Sequence, residues 1–384
     1  MKYIKINIYI NDIYILLNMS NKFPNDVSEL TIEYLNKVLY PKVKNEIISF
    51  KEGEKIDPGF TGKVIRIIPQ YKDSNVNSPK KFIIKFQTDN INIRTFMSKI
   101  KAYEKEIKIY EILNKINKLN TPLIYHSDIN EEGTNYILIM EDLTERGLFN
   151  INKEKPFDIK ILKLIVEYFA ELHSNFFGLG KQLNIKWIND YNFGKYMEEF
   201  TIKNFDKKKE FFISNNKKIL NDNLINIIKN INIQELFEKI NPDLEKNKDR
   251  ITLLHGDTQS GNLMINKEND KMAMIDWQYI NIGLGLKDIV LFIGICLDEN
   301  NIKENDINEL KYLYFNYLEK KGIHYDKNLF EDDWKNLCLV SLFNIIAASA
   351  EENIGNDEEK RKKYGDYLLL SEKRFITFLQ KQNL

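Results

Sequence analysis

Residues 251–288 read ITLLHGDTQSGNLMINKENDKMAMIDWQYINIGLGLKD. The apolar run Ile251–Leu254 has strand character, so the carboxylate of Asp257 emerges near a rigid strand end. Asn262 lies five residues further on, within reach of the same loop. Two more apolar runs, Leu263–Ile265 and Met272–Ile275, are joined by Asn266-Lys267-Glu268-Asn269-Asp270-Lys271, a polar turn that predicts a hairpin. Asp276 ends the second hairpin strand and is thereby folded back beside Asn262. Phosphoryl transfer demands such an arrangement. It needs positioning, charge neutralisation by a metal ion and an acceptor for the hydroxyl proton, with little covalent work by the protein. Asp257 suits the proton, and the hard oxygens of Asn262 and Asp276 suit Mg²⁺.

Outward from this stretch the chain changes character near residue 142. Upstream, strand-like runs fall at 46–50, 63–68, 81–86, 121–127 and 135–140, and 96–116 carries an apolar stripe at helical spacing (Phe96, Ile100, Tyr103, Ile107, Tyr110, Leu113). Asp26 is placed to cap a helix through Leu35 and Leu39, with Pro41 as its stop. Downstream, helices are predicted over 157–176, 190–212, 218–230, 233–246, 287–297, 303–321, 328–351 and 357–381. The expected organisation is an extension over 1–18, a strand-rich part over 19–142 and a helical part over 143–384.

His255-Gly256-Asp257 with Asn262, followed by Ile275-Asp276-Trp277-Gln278, resembles the aminoglycoside phosphotransferase and choline kinase superfamily, closest to its ecdysteroid kinase-like branch. The resemblance implies an α+β, protein-kinase-like bilobal fold, with a strand-rich N-terminal lobe and a mainly helical C-terminal lobe. It implies ATP- and Mg²⁺-dependent phosphorylation of a hydroxyl on a small molecule, with Asp257 as catalytic base and Asn262 and Asp276 as metal ligands. By the same resemblance Lys85, in preference to Lys81, holds the nucleotide phosphates, and Glu106, four residues before Tyr110, braces that lysine. Gly59-Phe60-Thr61-Gly62 is similar to the family's short phosphate loop, and Met140, Glu141 and Leu143 fall at its adenine-binding hinge. The family's choline kinases show Asp-Phe-Glu-Tyr where this chain has Asp276-Trp277-Gln278-Tyr279, which argues against choline. Sterols, amino alcohols, aminoglycosides and sugars stay open as acceptors. Eleven residues separate Asp276 from Asp288, too few for a protein-kinase activation segment. The competing reading is a catalytically silent relative that binds nucleotide or a partner.

Other residues are read as supporting parts. The His255 ring is expected to bond the loop backbone and orient Asp257, Asp288 to cap its helix and tie down 280–286, and Trp277 and Gln278 to brace the loop. The acidic pairs Asp332-Asp333 and Glu351-Glu352 read as solvated helix faces. Composition narrows the function further. Lys plus Arg and Asp plus Glu each number 56, which leaves no basic excess for a nucleic-acid partner. No apolar run approaches the roughly 20 residues that span a bilayer, so a membrane partner is not expected. The two cysteines, Cys296 and Cys338, form no disulfide or metal pattern and suit a reducing, cytoplasmic setting.

Overall fold

The strands expected upstream of residue 142 pair as one antiparallel sheet in the order β1-β2-β3-β5-β4: β1 Ile47–Glu52, β2 Gly62–Tyr71, β3 Phe82–Gln87, β4 Ile124–Ile129 and β5 Tyr136–Glu141. These come from a computed structural model that describes residues 23–54, 56, 61–116, 119–151, 154–178, 186–189, 193–240, 250–349 and 358–384. The 1–18 extension and Gly59 and Phe60 of the expected phosphate loop lie outside the described residues. The described residues divide into two units, one holding those through Ser98 with Ile124–Asp142, the other Lys99–Leu123 with Leu143–Leu384.

In the first unit the strand period of two sorts side chains by face. Phe82, Ile84 and Phe86 of β3 and Ile137 and Ile139 of β5 point into one apolar core. Helix α1, Ile32–Val43, covers that core with Leu35, Leu39 and Val43. Burying each such side chain contributes about 1.5–3 kcal/mol. The intervening residues Lys85 and Leu138 pair across β3 and β5 on the opposite face. Thr31, not Asp26, caps α1: its side chain accepts from Tyr34 N at 3.0 Å. Asp26 instead caps a single 3-10 turn, Val27–Glu29. Pro41 does not stop α1, which ends at left-handed Lys44 after its N–H bonds Tyr40 O. Proline is accommodated in this last turn, where few helical bonds remain to be lost.

The apolar stripe over 96–116 belongs to two helices, α2 Ile91–Lys99 and α3 Ala102–Leu113. Lys101, at φ 53°, breaks the ladder between them. Helical spacing persists across the break because both helices bury the same kind of face, so periodicity alone does not reveal it.

The second unit is mainly helical: α4 Ile159–Ser174, α5 Lys186–Asn189, α6 Phe193–Asn215, α7 Asp222–Asn230, α8 Ile233–Ile240, α9 Leu286–Cys296, α10 Glu304–Lys320, α11 Lys327–Ala348 and α12 Glu358–Gln380. Asp158, Asn221 and Asp326 cap α4, α7 and α11 by accepting from backbone N–H groups. Helix α9 is the unit's buried axis, packed against α4, α11 and α12. Gly294 of α9 lets Phe375 of α12 approach closely; a Cβ there would meet the ring at 2.4 Å. Two small β elements sit among the helices. One is the hairpin β8 Leu263–Ile265 and β9 Met272–Met274, extended by β6 Phe149–Asn150. The other pairs β7 Ile251–Leu254 with β10 Asn281–Leu284, a segment expected to be loop. Cys296 and Cys338 are both free and buried. No helix among the described residues is long and apolar enough to cross a membrane.

Candidate functional site

All four residues of β7 are buried, and pairing with β10 fixes where the strand ends and the loop His255-Gly256-Asp257 begins. Gly256 sits at φ +82°, and a Cβ there would meet Tyr279 O at 2.2 Å. Only glycine permits that conformation together with such a close approach. The buried carboxylate of Asp288, in the first turn of α9, accepts from His255 N at 2.7 Å and from Gly256 N at 3.3 Å. Asp288 thus ties down 255–256 rather than 280–286. Its Oδ2 also lies 3.4 Å from His173 Nε2, and His173 Nδ1 meets Tyr314 Oη at 2.9 Å. His173 and Tyr314 are fully buried, so the loop is held from behind by a dry polar chain.

The His255 ring has two defined bonds. Asp257 N donates to Nδ1 at 3.3 Å, so Nε2 carries the proton and donates to Ile275 O at 3.0 Å. Trp277 packs on the same ring with a centroid separation of 4.5 Å, and its indole N–H donates to Met274 O. One imidazole therefore links the Asp257 loop to the strand that leads to Asp276.

Asp257 is partly exposed, with both carboxylate oxygens held: Gln259 Nε2 donates to each at 3.1 Å, and Asn262 Nδ2 donates to Oδ2 at 2.8 Å. Asn262 Nδ2 also donates to Asp257 O, which fixes the orientation of the asparagine amide. Across the hairpin, Ile275 N donates to Asn262 O at 2.9 Å, placing Asp276 one residue from that contact. Asp276 adopts a left-handed conformation, φ 66° and ψ 62°, uncommon outside glycine and typical of residues aimed for a task. Burial raises the Asp257 carboxyl above the usual range, and the nearby Asp276 charge raises it further, against the lowering contributions of His255, Gln259 and Asn262. The Asp257 and Asp276 charges oppose one another, and a hard divalent cation would relieve that repulsion. Among the described residues no cluster of three or more His, Cys, Asp or Glu could hold a metal. Mg²⁺ does not need one, since it takes one or two protein oxygens with phosphates and water as its other ligands.

Gln278, expected to brace the loop, is buried, 0% exposed. Its Nε2 donates to Glu106 Oε2 at 3.1 Å, and Glu106 is itself 0% exposed on α3. No local pattern signals this bond, whose partners lie 172 positions apart. Asp333 likewise leaves the solvated face assigned to it: it is 2% exposed, Arg250 Nη1 donates to its two oxygens at 2.9 and 2.7 Å, and Tyr325 donates to it as well. Glu351-Glu352 lies outside the described residues.

The remaining candidates are carried as follows. In the first unit, Lys85 is 7% exposed in mid-β3, between Val64 of β2 and Leu138 of β5. Lys81 precedes β3 and so misses the sheet face. Gly62 opens β2, where a Cβ would meet Phe86 O at 2.7 Å, and Thr61 precedes it. Met140 and Glu141 end β5 opposite Ile83 and Phe82. Asp142, between Glu141 and Leu143, is 1% exposed and bound by Arg66 Nε of β2. The second unit carries Leu143, buried with Leu148, Met264 and Ala273, together with Glu106, Asp257, Asn262 and Asp276.

The model of the ecdysteroid kinase-like family matches residues 58–325. Among solved structures the fold is similar to a Plasmodium vivax ethanolamine kinase, at 18% identity over 97% of this chain and 96% of that one, with a TM-score of 0.51. It is also similar to a streptomycin–ATP–APH(2″)-IIa ternary complex (16% identity, 92% and 99% coverage, TM-score 0.44) and to a GDP complex of wild-type aminoglycoside 2′-phosphotransferase-IIIa (12%, 92% and 99%, 0.46). No curated protein sequence matches. The α+β, kinase-like fold expected from the motifs is the one observed.

Proposed function

This chain belongs to the ecdysteroid kinase-like family, and on that premise we propose that it transfers the γ-phosphoryl group of Mg²⁺-bound ATP to a hydroxyl of a small molecule. The observation that carries the proposal is the Asp257–Asn262–Asp276 arrangement on a loop pinned by Asp288 and His255. Asp257 orients the acceptor hydroxyl and takes its proton. Its partners Gln259 and Asn262 fix the carboxylate plane, so little reorganisation is needed at the moment of transfer. Asn262 Oδ1 and the Asp276 carboxylate would hold Mg²⁺. Bound there, the ion supplies neutralisation of phosphate charge.

Lys85 is assigned to the nucleotide phosphates, with Thr61 and Gly62 in the phosphate loop. Met140, Glu141 and Leu143 are assigned to the base through their backbone groups, and Glu106 to bracing the lysine. The free, buried cysteines support a reducing, cytoplasmic setting. A catalytically silent reading has no observation in its favour, since every residue of the constellation is present.

The test is calorimetric titration with ATP, with Mg²⁺ and with chelator, followed by transfer of labelled γ-phosphate across a panel of sterols, amino alcohols, aminoglycosides and sugars. Mg²⁺-dependent binding and a labelled acceptor are expected. Binding without transfer to any acceptor favours the silent reading, and no binding refutes the nucleotide assignment.

A further inference from the structure

The Gln278–Glu106 bond joins two parts that the proposed reaction uses separately. Glu106 is on α3, and Gln278 lies two residues after the proposed metal ligand Asp276, in the 3-10 turn Trp277–Tyr279 against which α3 packs. Both side chains are fully buried, so their contact is made in a dry setting, where a hydrogen bond to a carboxylate is stronger than on a surface. The choice of an amide is specific. An amide donates to the Glu106 carboxylate without adding charge, whereas a glutamate at 278 would set two carboxylates against each other out of water.

We infer that Gln278 is a positioning residue that couples the Glu106 helix to the Asp276 turn and so helps set the placement of Asp276. This rests on the kinase reading above. Gln278 is fully buried, and its amide acts on Glu106 rather than on a ligand. Loss of the bond therefore loosens Asp276 without removing a ligand atom.

The experiment compares wild type, Gln278→Glu, Gln278→Leu, Glu106→Gln and the exchanged pair Gln278→Glu with Glu106→Gln. Mg²⁺-ATP affinity is measured by calorimetry at several Mg²⁺ concentrations, alongside melting monitored by tryptophan fluorescence. Gln278→Glu is expected to weaken Mg²⁺-ATP binding about tenfold and to raise the Mg²⁺ concentration needed for half-maximal binding. The exchanged pair, which restores an amide–carboxylate contact with its sense reversed, is expected to recover the Mg²⁺ dependence beyond the sum of the two single changes. A purely structural role would lower the melting temperature and leave the Mg²⁺ dependence of the folded protein unchanged; that result overturns the inference. So does binding by Gln278→Glu and Gln278→Leu within about twofold of wild type. Absence of Mg²⁺-ATP binding by wild type overturns the kinase reading and this inference with it.

Discussion

Asp288 offers a sharp test of how the candidate loop is held. Replacing it with alanine removes the acceptor for His255 N (2.7 Å), for Gly256 N (3.3 Å) and for the longer contact from His173 (3.4 Å), with Asp288, His255 and His173 themselves buried. A buried donor left without a partner costs about 1–3 kcal/mol. The short bond to a carboxylate belongs at the upper end and the longer one at the lower, for a total of about 3–4 kcal/mol. Asp288→Asn should cost about half as much, because its amide oxygen can keep His255 N while its NH₂ group opposes Gly256 N–H. Each kcal/mol lowers Tm by about 2–4 °C in a unit of this size, so alanine should cost about 6–16 °C. The three tryptophans, Trp187, Trp277 and Trp334, all lie in the second unit, so their fluorescence follows that unit alone. Alanine and asparagine variants that both melt within about 2 °C of wild type would refute the claim that Asp288 pins the loop.

Other outcomes follow from the same geometry. Gly256→Ala must adopt φ +82° and overlap Tyr279 O, so it should lose at least about 3 kcal/mol of stability by chemical denaturation together with nucleotide-dependent activity. Asp333→Ala removes the carboxylate that accepts from the largely buried Arg250 Nη1 and should cost about 3–5 kcal/mol in the same assay. Glu372 is buried beside Asn216, and burial holds its carboxyl above the usual range. The folded state therefore binds the proton more tightly than the unfolded chain, and ionisation of Glu372 works against folding as pH rises through the folded-state value. Glu372→Gln should accordingly be more stable than wild type at pH 8, with the advantage shrinking towards pH 4.5; a difference in Tm that is flat with pH counts against this assignment.

The parts of the fold legible in the sequence were those set by local pattern. Alternation in KFIIKF placed Phe82, Ile84 and Phe86 on one face and Lys85 on the other, as observed. The polar turn 266–271 between two apolar runs was enough to bring Asp276 back beside Asn262. What stayed hidden depends on partners distant in sequence. β10 contains only Asn281-Ile282-Gly283-Leu284, too short and mixed to signal a strand, and it exists because β7 offers it an edge. β6 is two residues long for the same reason. The break at Lys101 leaves the apolar period intact, while Asp333 and Gln278 look like surface residues until Arg250 and Glu106 are brought to them. Asp288 was recognised as structural, yet its partners at 255–256 follow from the way α9 packs, which no local pattern records.

The central claim is that Asp257 serves the acceptor proton while Asn262 and Asp276 serve the metal. Its most direct test is Asp257→Asn, in which the side chain keeps its size and one oxygen acceptor for Gln259 or Asn262. Mg²⁺-ATP affinity by calorimetry and phosphoryl transfer to an identified acceptor should be measured on the same preparation. The account predicts nucleotide affinity within about threefold of wild type and a loss of about 10²–10⁴ in turnover. Turnover equal to that of wild type would contradict it.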